Sequence, residues 1–90
     1  MSVSVVNAKL LKDFKLHIQF DNGESGVVDL ESVILKDPRK IFEPLKNRDY
    51  FKNFSLDSWT IVWPNDFGFA PEFLYDLALS QNKKLEKATI

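Results

Sequence analysis

The first third of the chain alternates between apolar and polar positions. Within residues 14–20 every second side chain is apolar, namely Phe14, Leu16, Ile18 and Phe20. A period of two is typical of a strand with one buried face. Val3 to Leu11, rich in β-branched residues, predicts a preceding strand, and Ser25 to Leu30 predicts a following one. We therefore expect a β-meander.

The turn Asp21 to Gly23 decides the register of the second and third strands. A two-residue loop would place Leu16 opposite Asp29, whereas a three-residue loop places it opposite Val28. A slip of one residue moves every side chain to the other face, so only the second register keeps the apolar face intact. It also places Gly23 where a left-handed residue is needed. We predict the three-residue loop.

The middle of the chain predicts short, broken helices. Asp37-Pro38 predicts a helix start, since a carboxylate caps free amides and proline fits the first helical position. Pro44 prevents a long helix. Asn47 predicts the cap of a second short turn that carries Tyr50 and Phe51.

A second, shorter hairpin is expected after these turns. Its strands are Phe54 to Leu56 and Trp59 to Trp63, joined by a turn at Asp57-Ser58. Alternation places Trp59, Ile61 and Trp63 on one face. We therefore expect the two tryptophans to share a surface.

The last element is a helix from Pro71 to about Gln81, with its apolar face at Phe73, Leu74, Leu77 and Ala78. Residues 82–90 are expected to fray. The order βββααββα predicts an α+β fold, in which a twisted antiparallel sheet is covered on one face by short helices. We predict one domain over residues 1–81.

Composition narrows the possible functions. The chain has 90 residues, no cysteine and a formal net charge of −1, without a visible basic stripe. Disulfides and cysteine chemistry are thereby excluded. No apolar run approaches the length of about 18 residues that a membrane span needs. We expect a cytoplasmic protein that is a monomer or a weak homodimer.

Residues that carry catalysis are scarce. His17 is the single histidine, and its strand position points it away from the apolar face. Asp66 and Glu72 could in principle act as acid and base, but helix capping explains Glu72 better. Asp29 would matter only if it met these two in one cleft. We predict no catalytic residue, no metal site and no cofactor.

The aromatic segment after the second hairpin has two interpretations. Its rings either fill the gap between the sheet and the last helix or remain exposed as anchors for a partner. The candidate partner-binding residues are Trp63, Asn65, Asp66, Phe67 and Phe69. Both uses can coexist within one loop.

Three ordered stretches resemble the DUF2442 family of small bacterial domains of unknown function. They are FDNG with GVVDL at 20–23 and 26–30, IFEPL with YF at 41–45 and 50–51, and VWPN with Pro71 and LY at 62–65 and 74–75. Family members usually carry W-P-N-G-x-D in the last stretch. In this chain Asp66 and Gly68 stand at those two positions as if exchanged.

The resemblance implies an α+β fold built on a β-meander, with no established catalytic residues. Members are often encoded beside another small protein and sometimes precede a helix-turn-helix domain, which suggests a partner-binding or regulatory role of toxin–antitoxin type. We predict a non-enzymatic protein-interaction or regulatory module, and the family context suggests the smaller member of such a pair. The alternative is an accessory nucleic-acid-binding role, in which the basic residues are Lys12, Lys15, Lys83, Lys84 and Lys87.

Overall fold

The computed structural model describes residues 3–82 and 86–87. The first half contains a β-meander and a short helix: β1 Val5–Lys12, β2 Lys15–Phe20, β3 Glu24–Asp29 and α1 Glu31–Lys36. Two 3₁₀ turns follow, and then the remaining elements: α2 Arg48–Phe51, β4 Ser55–Asp57, β5 Thr60–Val62, α3 Pro71–Gln81 and β6 Glu86–Lys87. The fold class and the order βββααββα are confirmed.

The predicted register of the meander is confirmed. β2 and β3 are antiparallel, with Leu16 opposite Val28 and Ile18 opposite Gly26. Gly23 adopts a φ of +85°, the left-handed conformation that the three-residue loop requires. Leu16, Ile18 and Val28 have no solvent-exposed surface, so this register buries the centre of the apolar face.

β1 departs from regular pairing near its end. Leu10 lies opposite Leu16, but Lys12 lies opposite Lys15, so Leu11 is an extra residue at a β-bulge. A bulge turns the residues after it relative to plain alternation. Lys12 consequently lies on the outer face of the sheet, the same face as Lys9, which pairs with His17.

The predicted helix start at Asp37-Pro38 is wrong. A helix precedes this dipeptide instead: α1 ends at Lys36, and the Oδ1 atom of Asp29 accepts a hydrogen bond from the Glu31 amide at 3.0 Å. Asp37 closes a turn after α1 by accepting from the backbone amide of Arg39 at 2.9 Å. An aspartate can satisfy a nearby backbone amide in a turn as readily as at a helix start.

The other predictions for the middle of the chain are correct. The helical path is broken into 3₁₀ turns at Lys40–Phe42 and Pro44–Lys46. The side chain of Asn47 caps α2, because its Oδ1 accepts from the amides of Asp49 at 2.8 Å and Tyr50 at 3.4 Å. This cap fixes the start of the helix that carries Phe51 into the core.

The second hairpin exists, but its tryptophans do not share a surface. β4 and β5 pair with Asp57 opposite Thr60, so Ser58 and Trp59 form the turn and Trp59 is not part of the strand. Trp59 is 61% exposed, whereas Trp63 is only 2% exposed. Alternation applies only inside a strand, and the turn begins one residue later than predicted.

α3 begins at Pro71 and ends at Gln81, as predicted, but its buried face is narrower than the predicted apolar face. Pro71, Leu74 and Ala78 are buried, while Phe73 is 40% exposed. Phe73 therefore does not complete the core and lies at its border.

The last turn of α3 covers the free edge of β3. The side-chain amide of Gln81 accepts from the Asp29 amide at 2.7 Å and donates to the Asp29 carbonyl at 3.0 Å. Asn82 donates to the Val27 carbonyl at 2.8 Å. β6 pairs with the start of β3 and adds a strand that the predicted order does not contain. The predicted fraying of 82–90 stays a prediction, since 83–85 and 88–90 lie outside the described residues.

Candidate functional site

The segment after β5 is a tight turn held by its own backbone. The Asp66 amide donates to the Trp63 carbonyl at 2.9 Å, and the Trp63 amide donates to the Phe67 carbonyl at 2.8 Å. The Oδ1 atom of Asn65 accepts from the Phe67 amide at 3.2 Å. Asp66 has a φ of +66°, which aspartate tolerates better than most residues with a Cβ atom.

Two side chains fix this turn to the rest of the molecule. The indole nitrogen of Trp63 donates to the Phe51 carbonyl at 2.7 Å, and the amide of Asn65 donates to the Ile41 carbonyl at 3.3 Å. A buried indole N–H needs such a partner, because an unpaired one would cost desolvation energy. The side chains of Trp63 and Asn65 therefore anchor the segment to α2 and to the first 3₁₀ turn.

Gly68 lets the chain pass very close to β5. It forms a β-bridge with Val62. A Cβ atom at position 68 would lie 2.7 Å from the Ile61 carbonyl oxygen and 2.7 Å from Cγ1 of Val62. Only glycine fits this approach. The following carbonyl, that of Phe69, accepts from the Thr60 hydroxyl at 2.5 Å.

Four phenylalanine rings meet where this segment crosses the 3₁₀ turns and α3. The ring centroids of Phe42 and Phe67 are 4.9 Å apart, and those of Phe67 and Phe69 are 5.0 Å apart, both edge to face. Phe69 and Phe73 stack at 5.5 Å with an interplanar angle of 15°. Edge-to-face and offset-stacked geometries are the favoured ones for aromatic pairs.

These rings form the walls of an open pocket of about 320 Å³, which we name the aromatic pocket. Its apolar walls are Val33, Phe42, Phe67, Phe69, Ala70 and Phe73. Phe42 and Phe69 are buried at its base, Phe67 is half-buried and Phe73 is exposed. The pocket is thus an opening in the core rather than a patch lying on top of it.

A charged pair borders the aromatic pocket. Arg39 binds Asp37 through two parallel contacts, Nη2 to Oδ2 at 2.8 Å and Nε to Oδ1 at 3.0 Å. This hydrogen bonding from Arg39 lowers the pKa of the Asp37 carboxyl and raises the pKa of Arg39. The guanidinium carbon of Arg39 also lies 5.0 Å from the ring centroid of Phe42. Both charges are retained at neutral pH.

The structure brings together only part of the predicted site. Phe67 and Phe69 line the aromatic pocket, whereas Asp66 is exposed on the turn and is not among the lining residues. Sequence reasoning missed the contribution of Arg39 and assigned Phe73 to the core. No sequence signal marks Arg39. For Phe73 the signal lay in its position near the start of α3, where the helix meets the aromatic turn.

The carboxylates considered for catalysis either bind a backbone amide or are exposed to solvent. Asp29 accepts a hydrogen bond from the Glu31 amide just before α1, and Glu72 is exposed in the first turn of α3. Across residues 3–82 and 86–87, no group of three or more histidine, aspartate or glutamate side chains is placed to hold a metal ion. Among the same residues, no helix is long and apolar enough to cross a membrane. The predicted lack of enzymatic activity stays a prediction.

Comparison with known proteins identifies a family. No curated protein and no solved structure matches this chain. The model of a family described as a protein of unknown function, DUF2442, matches residues 5–80, which include the meander, the aromatic segment and most of α3. The chain belongs to the DUF2442 family.

Proposed function

We propose that this chain is a cytoplasmic, non-enzymatic protein-interaction module with a regulatory role, the smaller member of a two-protein system. In this proposal the aromatic pocket receives an apolar side chain from the partner protein. The observation that carries the proposal is the opening in the core at Phe73, where an exposed phenylalanine lies beside a cavity lined by other rings.

The exposed ring has an energetic consequence. Removing apolar surface from water contributes roughly 25 cal/mol per Å². A partner that covers an exposed phenylalanine therefore gains binding free energy. Phe73 is already stacked on Phe69, and it therefore has little freedom to lose on binding. Rings that are held in place before binding make efficient anchors.

The border of the aromatic pocket supports a protein partner rather than a purely apolar ligand. Arg39 has a side chain that is 66% exposed, next to the carboxylate of Asp37. Arginine and aromatic residues are enriched in protein interfaces, and the pair offers both hydrogen-bond donors and acceptors to a partner backbone. A polar border around an apolar centre is the usual anatomy of such an interface.

The base of the pocket is rigid because it belongs to the core. Asn65 ties the turn to the Ile41 carbonyl, and Gly68 packs against β5. These contacts hold the aromatic turn in place before a partner binds, which lowers the cost of binding.

Site-specific photo-crosslinking in the native host tests the proposal. A benzoylphenylalanine placed at position 73 keeps an aromatic ring at the pocket, and one at position 79 serves as the matched control. Leu79 lies on the same helix and is similarly exposed, at 46%. We expect position 73 to attach one polypeptide reproducibly and position 79 not to attach it. Equal labelling from both positions, or none from position 73 in a folded sample, contradicts the proposal.

A further inference from the structure

A second surface, separate from the aromatic pocket, lies on the outer face of the β1–β2 ribbon. The two strands read VVNAKLLK and KLHIQF, and neither contains an acidic residue. Val6 and Leu11, which have no cross-strand partner in the register, are exposed at 54% and 49%. The paired residues on the outer face are Asn7, Lys9, Lys12, Lys15, His17 and Gln19. We name these six residues the basic ribbon face.

The bulge at Leu11 creates this concentration of charge. Lys9 and Lys12 are three residues apart, so plain alternation would place them on opposite faces. The extra residue turns Lys12 outward, opposite Lys15, while Lys9 lies opposite His17. Bulges commonly redirect a side chain at a functional surface. Without this bulge Lys12 would lie on the inner face, apart from Lys9 and Lys15.

This grouping of lysines does not stabilise the fold. Lys12 and Lys15 are directly opposed across the strands, and like charges in such pairs are destabilising. The ion pairs among the described side chains use other cations: Arg39, Lys46, Arg48 and Lys52. Asp29 lies opposite Lys15 on β3, but this one carboxylate offsets only one of the three lysines. Asp13, in the turn between β1 and β2, pairs with Arg48. The basic ribbon face therefore keeps a local positive excess on a chain whose net charge is −1.

Neutral hydrogen-bonding groups extend the same face. The amide of Asn7 donates to Oε1 of Gln19 at 3.3 Å across the ribbon. Such amides can meet the edges of unpaired bases or the sugar, while lysines meet phosphates. Lys9 and Lys12 are separated by about 10 Å of strand, at roughly 3.3 Å per residue. Lys9 and Lys12 thus follow β1 and Lys15 lies beside Lys12, an arrangement that the phosphates of a polyanion can contact.

We propose that the basic ribbon face binds single-stranded nucleic acid through its phosphates. A flexible single strand can follow the twisted face of a two-stranded ribbon. The face has no Phe, Tyr or Trp side chain, and its single imidazole, that of His17, is half-buried, so binding depends on charge and tolerates any sequence. About three lysine contacts predict that log K falls with log salt at a slope near −2, since single strands give about −0.7 per neutralised phosphate.

Fluorescence anisotropy of the full chain with a labelled twelve-nucleotide thymidine oligonucleotide, from 20 to 200 mM NaCl, tests this site. We expect binding at low salt with the slope given above. The triple variant Lys9→Gln, Lys12→Gln, Lys15→Gln should lose at least tenfold in affinity without losing thermal stability. The control Lys36→Gln, Lys40→Gln, Lys52→Gln removes the same charge from other surfaces and should change affinity less than about threefold.

Three outcomes overturn the proposal: no binding at 20 mM salt, an equal loss in both triple variants, or vesicles of phosphatidylserine bound as tightly as the oligonucleotide. The last outcome would assign the face to anionic lipid. Phe73→Ala leaves the basic ribbon face intact and should bind the oligonucleotide normally. A failure of nucleic-acid binding is therefore distinguishable from a failure of partner binding at the aromatic pocket.

Discussion

The substitution Gly68→Ala tests most sharply how the aromatic segment is held. The added Cβ atom would lie 2.7 Å from the carbonyl oxygen of Ile61 and 2.7 Å from Cγ1 of Val62. A side-chain rotation could move the Val62 methyl group, but it cannot move the backbone oxygen. Either β5 or the segment around Gly68 must shift.

The cost follows from two contributions. Overpacking in a well-filled site costs about 1–3 kcal/mol. A shift of the segment also weakens the hydrogen bond from the Trp63 amide to the Phe67 carbonyl, which contributes about 0.5–1.5 kcal/mol. We expect a total loss of about 2–4 kcal/mol in the free energy of unfolding. For a domain of this size, each kcal/mol lowers the Tm by about 4–8 °C.

Urea unfolding followed by tryptophan fluorescence measures this loss, and Gly23 supplies the control. Gly23 is also favoured over other residues, but for a different reason. Its φ of +85° strains a residue with a side chain, although no atom lies within 4 Å of the position that a Cβ would take. Gly23→Asn should therefore cost less than Gly23→Ala, since asparagine tolerates the left-handed region. Gly68→Asn should be at least as damaging as Gly68→Ala. A loss below about 0.5 kcal/mol for Gly68→Ala would refute the close approach.

Three further predictions concern single side chains. Leu16→Ala should cost about 2–5 kcal/mol in chemical denaturation, because Leu16 is fully buried opposite Val28; a loss below about 1 refutes the register. Asp66→Ala should change stability by less than about 2 kcal/mol, because the side chain is exposed; a larger loss would show a buried network. In NMR titration, Arg39→Gln should return the lowered pKa of Asp37 toward its usual range, and an unchanged pKa would contradict the pairing. Because folding lowers this pKa, the pair stabilises the fold above the unfolded-state value of about 3.9 and loses that effect as the pH falls further.

The meander was predictable because several signals agree on it. Strict alternation in β2, the parity of the loop and the glycine at position 23 all require the same register, and Leu16 is opposite Val28 as a result. α3 was predictable for a similar reason, since Pro71 marks its start. Agreement between local turn chemistry and the burial pattern explains why these elements were correct.

α1 was missed because its sequence lacks a clear period. Val33, Ile34 and Leu35 are consecutive apolar residues, and Ile34 alone of the three is fully buried. The helix spans only Glu31–Lys36, too short for a periodic stripe to show. Asp37-Pro38 offered a stronger local signal for a helix start, and that signal belongs to a turn instead.

The candidate surfaces were only partly visible in the sequence. Phe67 and Phe69 were identified from the density of rings, but Arg39 reaches the aromatic pocket only through the broken path of the 3₁₀ turns. The basic ribbon face depends on the bulge at Leu11, which pairing alone reveals. In the sequence the lysines are scattered among other residues, and the strand register places them on one face.

The affinity of the purified partner for two variants tests the central claim most directly. Once crosslinking identifies the partner, its Kd is measured by titration calorimetry for the unaltered chain, Phe73→Ala and Leu79→Ala. An anchor ring predicts a loss of about tenfold or more for Phe73→Ala, equivalent to about 1.4 kcal/mol, and less than about twofold for Leu79→Ala. An unchanged Kd for Phe73→Ala would contradict the assignment of the aromatic pocket as the docking surface.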